Sequence, residues 1–197
     1  MPTGNLGPCT LEGRFVRLEP LRESHTDELA RIATKLDWSL FLYPLLSRDD
    51  VVKRIMDGIE REKRNEEYAF AVVLKKENRV VGSTSYLTIV SRHKRAEIGS
   101  TWYEPEFQGT YVNPESKFLL LRHAFEDWGA VRMQLGTHMK NLHSQRAILK
   151  IGAKFEGRLR NYGIMPDGTP RDSMLYSITS SEWPGVKSRL VKRIKNY

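Results

Sequence analysis

Cysteine is almost missing: Cys9 is the single one in 197 residues. One thiol closes no internal disulfide, and Cys9 stands among Gly7, Pro8 and Thr10 without the paired spacing of a metal or redox site. The five histidines, His25, His93, His123, His138 and His143, show no HExxH or other ligand pairing, so no metal is expected. No apolar run has the length of a membrane span, and the N-terminus carries no basic-then-apolar leader pattern. These absences set the expectation of a soluble, cytoplasmic protein with no membrane role. Two phosphate motifs are missing as well. The absence of GxxxxGK[ST] and of GxGxxG argues against P-loop hydrolysis and against a Rossmann dinucleotide site.

What is present reads as one globular domain, with 40% hydrophobic and 28% charged residues. The net charge of +8 favours anionic partners, whether phosphorylated cofactors or nucleic acid. Half of that excess lies in the last sixteen residues, where Lys187, Arg189, Lys192, Arg193 and Lys195 face Glu182 alone.

Periodicity supplies the element order. Residues 1–10 are rich in Gly and Pro and are expected to form a flexible arm. Arg14 to Pro20 is a first strand. Ser24 with Asp27, and Ser47 with Asp50, are capping-box signals that open helices running to about Thr34 and Arg64. Between them lies the aromatic connector Trp38 to Pro44, whose Trp38, Phe41 and Tyr43 line an acceptor pocket or belong to the core. Three strands follow, Tyr68 to Leu74, Arg79 to Val90 and Ala96 to Tyr103. A helix from Pro114 to about Trp128 carries Phe118, Leu121, Phe125 and Trp128 on one stripe. Val131 to Met139 is a strand and Ser144 to Ile151 a short helix. Lys154 to Leu159 and Asp172 to Thr179 are the last strands, with Asp167-Gly168 a turn between them. Residues 184–197 are expected to form a basic helical tail with Val186, Leu190, Val191 and Ile194 on its apolar face. The fold class is therefore mixed α/β, with a single domain over residues 11–183.

The most informative passage is Gln108-Gly109-Thr110-Tyr111-Val112-Asn113-Pro114, between a strand and a helix. Asn113 is a suitable N-cap and Pro114 a suitable first helical residue. The amides of residues 109–112 then gather at a helix start, where they either hold an anion or simply turn the chain.

Three passages resemble the GNAT superfamily of acetyl-CoA-dependent N-acetyltransferases, and within it the branch of the ribosomal-protein N-terminal alanine acetyltransferases. They are Ala96-Glu97-Ile98-Gly99 through Gln108-Gly109; Asn141 to Ser144 through Gly152-Ala153; and Glu156-Gly157-Arg158-Leu159-Arg160 followed by Arg171-Asp172 and Tyr176. Leu11 to Pro20 is also typical of that branch. The resemblance implies a mostly antiparallel sheet with helices on both faces, splayed between the strands at 96–103 and 131–138 so that acetyl-CoA lies in the gap. It implies that Thr101, Trp102 and Tyr103 meet the pantetheine, that Gln108, Gly109, Thr110, Tyr111, Val112 and Asn113 cradle the pyrophosphate, and that Asn141 and Ser144 lie beside the thioester. This sequence departs from the family where Tyr111 replaces the usual second loop glycine and where Pro114 removes a donor. It departs again at Asn161-Tyr162-Gly163, which lacks the branch's acidic residue, so ribosomal-protein specificity does not carry over.

The activity so implied is direct transfer of acetyl from acetyl-CoA, within a ternary complex, to a primary amine of a protein N-terminus or a small molecule. An α-amine, with a pKa of about 8, needs less help from a base than a lysine. Glu97 is the candidate base, or else a strand carboxylate paired with Arg92, Lys94 or Arg95. Ser144 is the candidate proton donor to the thiolate, or else a first-turn serine; Tyr176 is an alternative acid, or else core. Among the histidines, His138 alone is expected to face the gap, and His123 reads as structural. A protein or ribosome contact and a homodimer are further partner expectations. Two other functions stay open: a non-catalytic acyl-CoA-binding module, and an RNA-contacting protein acting through the basic tail.

Overall fold

The computed structural model describes residues 4–197, and among these eight strands form one sheet. The strands are β1 (Leu11–Glu12), β2 (Val16–Pro20), β3 (Tyr68–Leu74), β4 (Arg79–Val90), β5 (Arg95–Tyr103), β6 (Arg132–His138), β7 (Lys154–Ile164) and β8 (Pro170–Thr179). Their spatial order is β1-β2-β3-β4-β5-β6-β8-β7, antiparallel throughout except for the parallel pair β5–β6. The helices are α1 (Thr26–Ala33), α2 (Arg48–Lys63), α3 (Val112–Arg122), α4 (Leu142–Ile151) and α5 (Trp183–Lys195). None is long and apolar enough to cross a membrane.

The sheet is covered on both faces, which explains the unbroken apolar run of β3. Tyr68, Phe70, Val72 and Leu74 enter a core with Leu119 and Leu120 of α3 and Val186 and Leu190 of α5. Ala69, Ala71 and Val73 point the other way, into a core with Leu29 and Ile32 of α1 and Val51 and Ile55 of α2.

Local signals set most element boundaries, with instructive departures. Ser47 caps α2 as expected, its Oγ accepting from the Asp50 amide at 3.2 Å. Ser24 caps nothing: it lies in a 3₁₀ turn, and α1 starts at Thr26 after His25 Nδ1 has accepted the Arg22 amide at 3.1 Å. α3 begins at Val112, so Asn113 lies in its first turn and spends its Oδ1 on the Tyr103 hydroxyl at 3.3 Å instead of capping. Pro114 stays in that turn, where its missing N–H costs nothing. A widened turn, His123–Trp128, continues the helix. β7 runs past Leu159 to Ile164 because the hairpin absorbs an irregularity at Asn161, whose amide donates to Asp172 Oδ1 at 2.7 Å.

Residues 4–10 and α5 are both packed against the domain. The Gly4 amide donates to Asp127 O at 3.0 Å and Leu6 is 1% exposed, so residues 4–10 are anchored where a flexible arm was expected. Met1, Pro2 and Thr3 of that expected arm lie outside the described residues. α5 buries Trp183, Val186, Leu190 and Ile194 and shares the α3 core, so it is part of the domain and not an appended tail.

The parallel pair positions the site. β5 and β6 are paired only at Arg95↔Arg132, Ala96↔Met133 and Glu97↔Gln134, and beyond these they part. Ser100 of β5, at φ +47°, forms a bulge just past that point. β6 stays paired with β8 from Arg132 to His138, so each side of the opening is held from outside.

Candidate active site

A cavity of about 840 Å³ fills the opening between β5 and β6. Glu97 through Tyr103 of β5 and Gln134 through Thr137 of β6 form its walls, joined by the Gln108–Thr110 loop, α4 and the connector before α2.

The loop presents unpaired amides at the start of α3. Gly109 has φ +78°, a conformation that a side chain would strain, and it turns the chain into α3. The amides of Gly109, Thr110 and Tyr111 meet no acceptor among the described residues, while the Val112 amide lies 3.4 Å from Thr110 Oγ1. Three of the four expected donors are therefore free at the positive end of a helix. Tyr111 has φ −64° and ψ −21°, so this position needs no glycine. Its ring packs on Phe15 and Tyr197 and pins the loop from behind. Glu115 anchors the same helix to β2 by accepting the amides of Arg14, Phe15 and Val16 at 2.6, 2.9 and 2.9 Å. Arg146 and Lys150 of α4 and Arg193 of α5 also line the cavity, a placement that the sequence alone did not reveal.

Glu97 lies where the strands part. Gln134 Nε2 donates to its Oε2 at 2.9 Å, and Gly136 leaves the space beside it, since a Cβ there would come within 3.3 Å of Glu97 Oε1. Burial pushes the Glu97 carboxyl above its ordinary range, opposed by the Gln134 bond and the Arg171 charge. Among the described residues no ion pair joins Glu97 to Arg92, Lys94 or Arg95, and Lys94 Nζ donates to Trp128 O at 3.1 Å instead. Such a carboxylate takes up a proton more readily than an exposed one, which suits a base.

The other candidates divide. Asn141 Oδ1 accepts the Ser144 amide at 2.9 Å, and both residues line the cavity. Thr101, Trp102, Tyr103, Gln108, Gly109, Thr110 and Asn113 also reach it. Tyr111 and Val112 do not; the Val112 side chain is core. Tyr176 is corrected to core as well: it is 2% exposed, packs on Phe155, and donates its hydroxyl to Gln145 Oε1 at 3.2 Å, away from the cavity. His138 lies outside too, its Nδ1 accepting the Lys140 amide at 2.9 Å, while His143 is in the wall. His123 bonds Asp127 at 2.9 Å and approaches Cys9 Sγ at 3.6 Å, as befits a structural histidine. Trp38 and Phe41 pack edge-to-face in the wall, whereas Tyr43 is 75% exposed at the mouth.

Two further cavity residues escaped sequence reasoning. Lys117 stands just before the apolar run Phe118 to Leu121, yet it is 5% exposed and its Nζ lies 2.6 Å from Thr101 Oγ1 and 3.2 Å from Thr84 Oγ1. Burial pulls its amine down to about 7. Arg171, read only as part of a motif, has a buried Nε with no acceptor among the described residues.

Residues 16–154 match the family model described as an acetyltransferase (GNAT) domain. The chain is 22% identical over 178 residues to "Probable N-acetyltransferase YjcK" of Bacillus subtilis, covering 87% of this chain and 98% of that protein. It resembles the crystal structure of a GCN5-related N-acetyltransferase from Brucella melitensis, with a TM-score of 0.86 and 28% identity over 95% of this chain and 86% of that one. The fold also matches that of Mycobacterium smegmatis RimJ in complex with CoA-disulfide, with a TM-score of 0.80 and 21% identity over 97% of each chain.

Proposed function

The chain belongs to the GNAT acetyltransferase family and is an N-acetyltransferase, and on that premise we propose that it passes the acetyl group of acetyl-CoA directly to a primary amine, foremost a peptide α-amine. The observation that carries the reading is one continuous cavity with free loop amides at one end and a half-buried carboxylate where the strands part.

The residues suit acetyl-CoA as substrate. The amides of Gly109 and Thr110, with the α3 dipole behind them, hold the pyrophosphate. Arg146, Lys150 and Arg193 supply further positive charge for its phosphates. The backbone of Thr101 to Tyr103 serves the pantetheine amides. Trp38 and Phe41 present an apolar surface to the acceptor and exclude water from the reacting amine. Glu97 takes the proton that the amine loses as it attacks, and an amide of the β5 bulge faces the developing oxyanion. An α-amine, already partly neutral near pH 8, matches a carboxylate base better than a free lysine does.

The test is free-thiol release from acetyl-CoA across peptides with free N-termini, polyamines and aminoglycosides, with Glu97→Gln alongside. Turnover of free-N-terminal peptides is expected, with a fall of about 10²-fold or more in the variant. Equal turnover by N-terminally blocked peptides, or an active Glu97→Gln, overturns the assignment.

A further inference from the structure

The fold compensates its other buried charges and leaves Lys117 apart. Glu67 is met by Arg54 and Arg61, Glu104 by Arg31, Lys35 and Arg79, and Glu115 by three backbone amides. Lys117 has no carboxylate among the described residues, only the Thr84 and Thr101 hydroxyls, themselves 2.8 Å apart. An ammonium has three donors, and these bonds use two. The third has no acceptor among the described residues, and the side chain forms part of the cavity wall. Thr101 directly follows the Ser100 bulge, so the amine stands behind the stretch of β5 that the thioester arm of acetyl-CoA would track.

We propose that Lys117 stabilises and protonates the CoA thiolate as it leaves, an assignment that rests on the acetyl-CoA reading above. When the tetrahedral adduct collapses, the C–S bond breaks and its electron pair goes to sulfur, while the C–N bond of the amide remains. Sulfur takes its proton from Lys117, the amine's proton goes to Glu97, and solvent returns one from Glu97 to Lys117 between turnovers. Ser144 lines the same cavity, but a serine hydroxyl holds its proton far more tightly than an ammonium drawn down to about 7. Around the Lys117 amine, β4 offers Thr84 and β5 offers Thr101, neither charged near neutrality. Elsewhere in the wall the charged or titratable groups are Lys35, Asp37 and Tyr43 of the connector, Arg54 of α2, Glu97, Tyr103, His143, Tyr162 and Arg171, and the basic residues of α4 and α5.

The experiment titrates the thiol of CoA bound to the protein, followed by the ultraviolet absorbance of the thiolate. On the wild-type protein the bound thiol is expected to ionise about 1–3 pH units lower than on Lys117→Met. Lys117→Arg, which keeps a cation, should stay near wild type. Desulfo-CoA, which lacks the sulfur, should bind wild type and Lys117→Met within about twofold of each other by calorimetry. Lys117→Gln keeps hydrogen bonds to the threonines without the charge, so it decides the matter if the methionine variant does not fold. Unchanged thiol ionisation in the uncharged variants overturns the proposal, as does equal weakening of CoA and desulfo-CoA, which marks a packing role. Failure of the wild-type protein to bind CoA at all overturns instead the acetyl-CoA reading on which this one stands.

Discussion

Glu115 ties the anion loop to the rest of the domain, and its removal should unfasten both. The carboxylate accepts three amides from β2 and the turn before it, with Oε1 taking Arg14 and Oε2 taking Phe15 and Val16. Each bond to a charged acceptor contributes about 1.5–3 kcal/mol. Glu115→Ala leaves three donors to find water at a buried site, and partial relaxation makes their losses less than additive, so about 3–5 kcal/mol is expected. Glu115→Gln is the sharper perturbation. Its amide keeps one oxygen but turns an NH₂ toward amides that need an acceptor, so it should recover at most half of the loss despite its matching shape. Urea unfolding measures the stability, and CoA binding by calorimetry reads the loop. A loss below about 1 kcal/mol in Glu115→Ala, or full recovery in Glu115→Gln, would refute the claim that charge-assisted bonds fasten α3 to β2.

Acid should weaken the fold through Glu104. Burial alone would raise its carboxyl, but Arg31, Lys35 and Arg79 overcome this and hold it at about 2. Its contribution is present above the unfolded carboxylate value of about 4.3 and fades as pH falls toward 2, so stability should decline through that window, and less steeply in Glu104→Gln. At Gly109 a side-chain methyl would meet nothing within 4 Å, so Gly109→Ala strains only the backbone. A cost of about 1–2 kcal/mol for the left-handed conformation predicts CoA binding weaker by about tenfold, and an unaffected Kd would mean that the loop reaches its shape some other way. The Arg171 charge opposes the burial-driven rise of the Glu97 carboxyl. Arg171→Gln should therefore move the acidic limb of the kcat/KM profile to higher pH, and a downward move would show that Glu97 is not the base being titrated.

The sequence made the fold legible wherever one element carried its own pattern. The run at Tyr68 to Leu74 announced a strand buried on both faces, and Ser47 with Asp50 announced a helix start that the structure repeats atom for atom. Where another side chain took the bond that the local signal promised, that signal misled. Ser24 lost its capping role to His25, and Asn113 lost its own to the Tyr103 hydroxyl ten residues earlier. In the site, where both line the cavity, the Gln108–Thr110 loop was readable as a strand-to-helix turn and Glu97 through the resemblance of its Ala-Glu-Ile context. Lys117 was not, because a lysine before Phe118-Leu119-Leu120-Leu121 looks like the polar edge of a helix. Only the approach of β4 and β5 turns it inward. Tyr176 failed for the opposite reason, since its pairing with Leu135 across β6 places its hydroxyl on Gln145 and not in the opening.

One topological choice links these features. A sheet that is otherwise antiparallel contains a single parallel pair, and a parallel pair requires a crossover. Here the crossover is α3, so its N-terminus necessarily rises near the carboxyl end of β5, where ligands gather in sheets of this kind. The same crossover frees β5 and β6 from a shared hairpin. After Glu97 and Gln134, β5 follows β4 and β6 follows β8, and neither pairing pulls the two together. The gap, the dipole aimed at its mouth and the carboxylate at its closed end thus come from one connection rather than three separate adaptations. The Ser100 bulge then turns Thr101 back toward α3, the direction from which Lys117 meets it. A substitution that restored regular pairing past Glu97 would close the cavity and take the β5 backbone away from any ligand in it.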